Sequence, residues 1–342
     1  MSSGYIAELT RRNPETRAEF LGHLQKVYNY KLHTAFPLVL HIEPTNKCNQ
    51  VCRMCIHPTQ KRAEAYTSDM IVEKVIAEAK IMKPWATHFF FFGEPFLNKS
   101  LFKYIKMAKE ANLRNISTTT NLTALSKANI TKIPNSGLDS IHISFEGLNR
   151  KHYKEVRGKD TYEKARSNLL FLLSEKARLN SNLWISITFV KTTESDEEIS
   201  AFKNEWEPIV NDIHISPQFE YRNGSADGSR RQRIAKVQIS RNTGNIMFTD
   251  DNDRVPCRQL WTRIVVTSQG ELVPCSQNID AELSLGNIMH TSIHDAWTGD
   301  LMKSLRMQHL CGSYKTAPGL ICKTCTDWDW SGKVDTRPKV ES

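Results

Sequence analysis

Leu38-Val39-Leu40-His41-Ile42-Glu43 is followed, after four residues, by Cys48-Asn49-Gln50-Val51-Cys52-Arg53-Met54-Cys55. The first segment reads as an apolar strand. The second sets three cysteines on one short loop, with gaps of three and two residues. Three thiolates so placed bind three irons of a cubane cluster and leave the fourth iron open to a small molecule. Zinc is the competing reading, but zinc sites favour two-residue cysteine pairs, separated by a longer stretch and closed by a fourth ligand. The loop follows the opening strand, which is where α/β folds carry their chemistry.

Working outward, strands and helices alternate. Leu38–Glu43, Thr87–Phe92, Asn115–Thr120, Ser140–Phe145, Trp184–Val190 and Ile213–Gln218 read as strands. Ser68 caps a helix to Met82, and further helices are expected at Leu101–Ala111, Tyr162–Ala177 and Glu197–Trp206. Six strands alternating with helices imply parallel pairing through right-handed crossovers. The fold class is therefore α/β, a partial (β/α)6 TIM-like barrel. Before it, Asn13-Pro14-Glu15 predicts a helix over Pro14–Tyr30, a helical extension covering 1–36. The barrel core is placed at 37–221. Residues 222–256 read as a linker, with a hairpin near Asn242-Thr243-Gly244. A small module at 257–331 follows, with a hairpin of Arg263–Thr267 and Glu271–Pro274 around Ser268-Gln269-Gly270, then a helix over Ser292–Met307. The tail, 332–342, is polar and expected to fray.

The chain has 342 residues, 39% of them hydrophobic and 24% charged, which suits a globular protein with one large core and a smaller module. No run of about 18 apolar residues predicts a membrane span. The N-terminus does not read as a secretory signal, so a cytoplasmic location is expected. The net charge is +9. Arg230, Arg231 and Arg233 read as a solvated loop, and no nucleic-acid-reading motif is found. Eight cysteines in a cytoplasmic protein point to metal or catalysis rather than disulfides.

With these motifs in view, residues 38–220 resemble the radical S-adenosylmethionine (SAM) superfamily. Phe92-Gly93-Glu94-Pro95 is similar to its GGEP motif, with Phe in the first glycine's place. Thr119-Thr120-Asn121 resembles TNG, and Ser144-Phe145-Glu146-Gly147 resembles SxDG with Glu for Asp. The resemblance implies that Cys48, Cys52 and Cys55 hold a 4Fe–4S cluster whose open iron takes SAM. It implies that Gly93 and Glu94 hold the SAM amino group, that Ser144 and Asn121 contact SAM, and that Glu146 approaches its ribose. Arg157, thirteen residues after Ser144, is expected to pair with the SAM carboxylate. Met54 stands where the family places an aromatic residue near adenine. A flavodoxin- or ferredoxin-like electron donor is a family expectation.

Cys257 and Cys275 are separated by seventeen residues, and forty-six more separate Cys275 from the pair Cys322-Lys-Thr-Cys325. Four such cysteines form a closed set that suits zinc or a second iron–sulfur cluster. The arrangement resembles the twitch domain, a shortened SPASM domain. That resemblance implies one auxiliary 4Fe–4S cluster, with spacing nearest the 2-deoxy-scyllo-inosamine dehydrogenase-like members. Cys311 is left over. It is either a buried small hydrophobe or a thiol returning a hydrogen atom to a substrate radical. Trp328 and Trp330 are expected to shield the auxiliary cluster. His41 and Glu43 share one side of the first strand, where they either reach substrate or form an interior pair.

Four functions follow. The first is dehydrogenation of a sugar- or aminocyclitol-like small molecule, with the electron passed to the auxiliary cluster. The second is epimerisation with Cys311 as hydrogen donor, and the third is modification of a peptide substrate. A non-enzymatic iron–sulfur scaffold is disfavoured, because a scaffold needs no SAM pocket.

Overall fold

The computed structural model describes residues 35–217, 257, 259–310, 321–323 and 325. Arg230, Arg231, Arg233, Cys311, Trp328 and Trp330 lie outside them, as do the expected 14–30 helix and the 242–244 hairpin. The sheet opens with β1 (Val39–Ile42), in which Leu40 and Ile42 are fully buried. Helix α1 (Asp69–Met82) returns the chain, started by the Ser68 hydroxyl, which accepts from the Ile71 N–H. Its inward residues Ile71, Val72, Val75, Ile76 and Ala79 recur at helical spacing. Strand β2 (Ala86–His88), helix α2 (Leu101–Glu110), strand β3 (Ile116–Thr120) and the short helix α3 (Lys127–Ile130) follow. Next come β4 (Ser140–Ser144), α4 (Arg150–Arg157), α5 (Tyr162–Arg178), β5 (Trp184–Lys191), α6 (Asp196–Trp206) and β6 (Asp212–Pro217). A capping box of Ser195 and Glu198 starts α6.

All six strands pair in parallel in sequential order, as the alternation predicts. The second strand is shorter than expected. Its ladder ends at His88, and Phe90 to Phe92 leave the sheet half-buried to form the approach to Gly93. An apolar run shows burial, but it cannot show where pairing stops.

The C-terminal segment adds α7 (Gln259–Thr262), then β7 (Arg263–Val266), which hairpins antiparallel to β8 (Leu272–Val273). The hairpin is the expected one, but it is not a separate sheet. Strand β7 lies parallel to β1, so one eight-stranded sheet runs β6-β5-β4-β3-β2-β1-β7-β8. The helix expected over 292–307 is two: α8 (Ile293–Thr298) and α9 (Asp300–Leu310), broken at Gly299 in extended conformation. A Cβ there would stand 2.6 Å from the Asp295 carbonyl oxygen.

The two faces of the sheet differ in chemistry. Ile141, Ile143, Ile185, Ile187 and Phe189 are buried in the apolar core with the helices. Alternation sends Ser140, His142 and Ser144, then Ser186 and Thr188, then His214 and Ser216 to the other face. In register with them, His142 faces Ser186, Ser144 faces Thr188, and Thr188 faces His214. His41 and His88 continue this polar face, with rings 4.8 Å apart.

Candidate functional site

The cysteine loop leaves β1 and is closed at its neck. Thr45 bridges Tyr66, the Asn46 side chain donates to the Ala63 carbonyl at 2.9 Å, and it accepts from the Ala65 N–H at 2.7 Å. Its crown is held by the strand ends. Gln50 Nε2 donates to Thr123 and Thr161, both at 2.9 Å. Asn49 donates to Thr123 at 2.8 Å and accepts from Asn121 at 2.9 Å. The end of α4 supports the other flank. The Arg53 N–H donates to the Val156 carbonyl at 2.9 Å, and Gly158, at φ 73°, approaches so closely that a Cβ would lie 2.4 Å from the Val51 carbonyl oxygen.

Within this loop the three thiols feel one another. Burial pushes Cys48 up to about 11 and Cys55 up to about 12, and the Cys52 thiol adds to both shifts. Buried thiols of this kind surrender their protons to a bound metal centre. Among the described residues, no group of three or more His, Cys, Asp or Glu is arranged to hold a single metal ion. A cubane makes no such demand, because each thiolate binds its own iron corner. The donor set and the braced loop therefore fit a cluster.

Gly93 lies against the base of the loop. Its N-terminal neighbours leave the sheet at β2, and a Cβ on it would stand 2.1 Å from the Thr45 carbonyl oxygen. The next N–H, of Glu94, donates to the Lys47 carbonyl at 2.8 Å. The Glu94 carboxylate is buried and accepts from Thr120 Oγ1 at 2.7 Å, the Asn121 N–H at 2.8 Å and the Phe96 N–H at 3.2 Å. Burial raises its pKa, so an ammonium placed beside it would restore the charged form. Asn121 is turned to Glu94, Asn49 and Thr123 and so braces the loop.

Arg157 and Glu146 form a buried ion pair from Arg157 Nε to Glu146 Oε2. Glu146 Oε1 also accepts from the Val190 N–H at 3.2 Å. Arg157 Nη1 stands 3.5 Å from Cys52 Sγ. Burial alone lowers the affinity of Arg157 for its proton, but Glu146 and Cys52 outweigh it, and the net direction is upward. Ser144 ends β4 two residues before Glu146, and Met54 is half-buried on the loop. The electrostatic influence of Glu94 and Arg157 on Cys48 places these groups in one neighbourhood.

His41 and Glu43 do not form an interior pair. His41 rests edge-on against His88 and Phe90, whereas Glu43 takes a bidentate bond from Arg62 at 2.8 and 2.9 Å. Sequence reasoning missed Arg62 and the Gln50, Thr123 and Thr161 braces. The one local signal was the Arg157-Gly158 end of α4, a glycine at a helix C-terminus.

The second cysteine set lies in one neighbourhood of the C-terminal segment. Cys257, Cys275 and Cys322 are buried and Cys325 is half-buried. Burial drives the Cys275 thiol well up, and Cys322, Cys325 and Cys257 all act on it in the same direction. The Cys257 N–H donates to His309 Nδ1 at 3.2 Å. Four converging thiols suit a closed iron–sulfur cluster.

Comparison with known proteins finds a family match over each of the two regions. The radical SAM superfamily model matches residues 42–205, and an iron–sulfur cluster-binding domain model, SPASM, matches 257–326. A 7,8-dihydro-6-hydroxymethylpterin dimethyltransferase of Methanocaldococcus jannaschii is 28% identical over 131 residues, covering 37% of this chain and 26% of the relative. A probable GTP 3′,8-cyclase of Saccharolobus islandicus is 26% identical over 180 residues, covering 52% of this chain and 55% of the relative. The chain thus spans about a quarter of the first relative and about half of the second. Among solved structures, BtrN in complex with AdoMet and 2-DOIA superposes with a TM-score of 0.54 at 17% identity, over 86% of this chain and 94% of that one. Streptococcus suis SuiB bound to the precursor peptide SuiA superposes with a TM-score of 0.63 at 17% identity, over 86% and 72%. At such identities the likeness concerns the fold.

Proposed function

Because this chain is a radical SAM protein with a C-terminal SPASM iron–sulfur domain, we propose that it dehydrogenates a hydroxylated small molecule of the sugar or aminocyclitol kind. Held at the two cysteine sites, the clusters and SAM supply a 5′-deoxyadenosyl radical and an electron acceptor. Cys48, Cys52 and Cys55 hold the first cluster. Glu94 receives the SAM ammonium, Gly93 lets it approach, and Arg157, fixed by Glu146, faces the SAM carboxylate. Ser144 and Met54 border the nucleoside.

The polar face of the sheet supports a hydroxylated substrate. Ser144, Thr188 and Ser216 supply hydroxyl groups there, and His142 and His214 supply imidazoles able to take a hydroxyl proton. With the clusters and SAM bound, the balance would be complete: a carbinol hydrogen atom would leave to the radical, the hydroxyl proton to His142 or His214, and one electron to the cluster held by Cys257, Cys275, Cys322 and Cys325. The observation that carries this reading is that Cys257, Cys322 and Cys325, buried or half-buried, all lie near enough to Cys275 to act on its thiol. A cluster held by all four would have no open iron corner for substrate, which suits electron transfer. A flavodoxin- or ferredoxin-like protein would deliver the first electron.

The test is anaerobic reconstitution followed by incubation with SAM, dithionite and a panel of polyols and aminocyclitols. A ketone formed in step with 5′-deoxyadenosine supports the reading. An epimer formed without net oxidation would replace it with the Cys311 alternative. A modified peptide as sole product would replace it with the peptide-modifying one.

A further inference from the structure

A dense contact joins the two cysteine sites through the protein itself. Glu43 lies five positions before Cys48, Arg62 seven after Cys55, and Asp280 five after Cys275. Both terminal nitrogens of Arg62 bond the two oxygens of Glu43, at 2.8 and 2.9 Å. Arg62 Nε donates to the Ile279 carbonyl. Asp280 Oδ1 accepts from the backbone N–H groups of Lys61 at 2.6 Å and Arg62 at 3.3 Å. Glu43 Oε2 accepts in addition from the Ser268 N–H, in the turn between β7 and β8, at 2.8 Å.

The Arg62 and Glu43 side chains are only 6% and 0% exposed. Water therefore offers them no alternative partners, and the fork geometry of the pair fixes position as well as charge. The arm from Ile56 to Tyr66 completes the loop that carries Cys48, Cys52 and Cys55, and the neck bonds at Asn46 return it to β1. One end of this arm is thus zipped to the barrel, and its middle is held by the loop that follows Cys275.

We infer that Glu43, Arg62 and Asp280 form a positioning bridge, through which the loop carrying Cys275 keeps the SAM-binding loop in shape. The auxiliary site then supports SAM binding as well as accepting an electron. The inference rests on assigning the two cysteine sets to clusters, and it holds for any of the reactions considered. A cluster on Cys257, Cys275, Cys322 and Cys325 crosslinks the loop that Asp280 ends. Without it, that loop gains freedom, and Lys61 and Arg62 lose a fixed partner.

The experiment uses the full chain, reconstituted anaerobically, with SAM as the titrant in calorimetry and amide hydrogen exchange read across residues 56–66. The variants are Asp280→Ala, Asp280→Asn, Cys325→Ala and the Asp280→Ala/Cys325→Ala double. Asp280→Ala and Cys325→Ala should each weaken SAM binding roughly five-fold or more and speed exchange over the arm. Asp280→Asn should retain most of the affinity, because its side-chain oxygen still accepts from the two N–H groups. The double variant should bind no worse than the weaker single, since both changes cut one connection. Unchanged affinity and exchange in Asp280→Ala with full iron content would overturn the bridge, as would losses that multiply in the double variant. Exchange in the cluster-free chain adds a check, because there residues 56–66 must already exchange fast and Asp280→Ala must add little; a further large increase would overturn the bridge. A wild-type chain that binds no SAM would overturn the site assignment and the bridge with it.

Discussion

Replacing Gly93 by alanine puts the base of the site under a strain that can be sized directly. The added Cβ would lie 2.1 Å from the Thr45 carbonyl oxygen and 2.7 Å from that of Lys47, whereas real Cβ contacts stay above 3.0 Å. Both obstacles are backbone, so no side chain can swing aside. The strand end and the loop must separate by at least the difference, 0.9 Å. The Glu94 N–H to Lys47 carbonyl bond, now 2.8 Å, spans the same gap and would lengthen past hydrogen-bond range. Overpacking of this kind costs about 1–3 kcal/mol, or roughly 2–4 °C of Tm for each kcal/mol. Function should suffer more than stability, because a misplacement of about 1 Å costs on the order of a hundredfold in rate. The assay pairs thermal unfolding of the cluster-free chain with 5′-deoxyadenosine formation by the reconstituted one. Wild-type SAM cleavage in Gly93→Ala, with all first-cluster iron present, would refute the close approach and the role given to Glu94.

Removing the Glu146 carboxylate as Glu146→Ala strands Arg157 as a buried charge and should destabilise the chain by about 3–5 kcal/mol in denaturant unfolding. Glu146→Leu with Arg157→Met should recover much of that loss, and a double variant as unstable as the single would discredit the pair. Burial above all, with Arg263, holds His41 and His88 well below the usual histidine pKa of 6.5; His88 also acts on His41, and His142 on His88. The unfolded chain therefore binds protons that the folded one refuses. Stability is complete above about pH 6.5 and falls as pH drops, by up to about 1.4 kcal/mol per pH unit for each ring. A His41→Gln/His88→Gln variant with an undiminished slope between pH 5.5 and 7 would contradict this. Anaerobic reconstitution should yield about eight irons, and about four when Cys48, Cys52 and Cys55 are all alanine or when Cys322 and Cys325 are. Zinc in either site, found by elemental analysis after native expression, would count against the cluster assignment. Cys311→Ala should leave oxidation of an alcohol intact. A specific loss of product with SAM cleavage preserved would favour hydrogen return by that thiol.

The fold was legible because its signals are local. Strand runs such as Ile141 to Ile143 and the periodic face of α5 state their own burial, and Ser68 announces a helix start through a side-chain bond three residues long. Gly93 was legible through its motif, although the reason for a glycine, the carbonyl of Thr45, lies forty-eight positions earlier. Asn121 shows the limit. Its motif places it at the site, yet its side chain is spent on Asn49, seventy-two positions away.

By itself the sequence determined which residue types stand together: thiols at gaps of three and two, an acid after a glycine at a strand end, four later cysteines around a hairpin. Spacing is a property of the chain and survives without knowledge of any contact. Only the tertiary structure decided how the charges are shared out. Glu43 goes to Arg62 and Ser268, the latter 225 positions away, Glu146 goes to Arg157, and β7 enters the barrel sheet beside β1. Such pairings depend on which buried groups meet once the sheet and its helices have assembled, and burial makes each choice costly to leave unmade. No local pattern encodes that choice, because the partners are chosen by the fold.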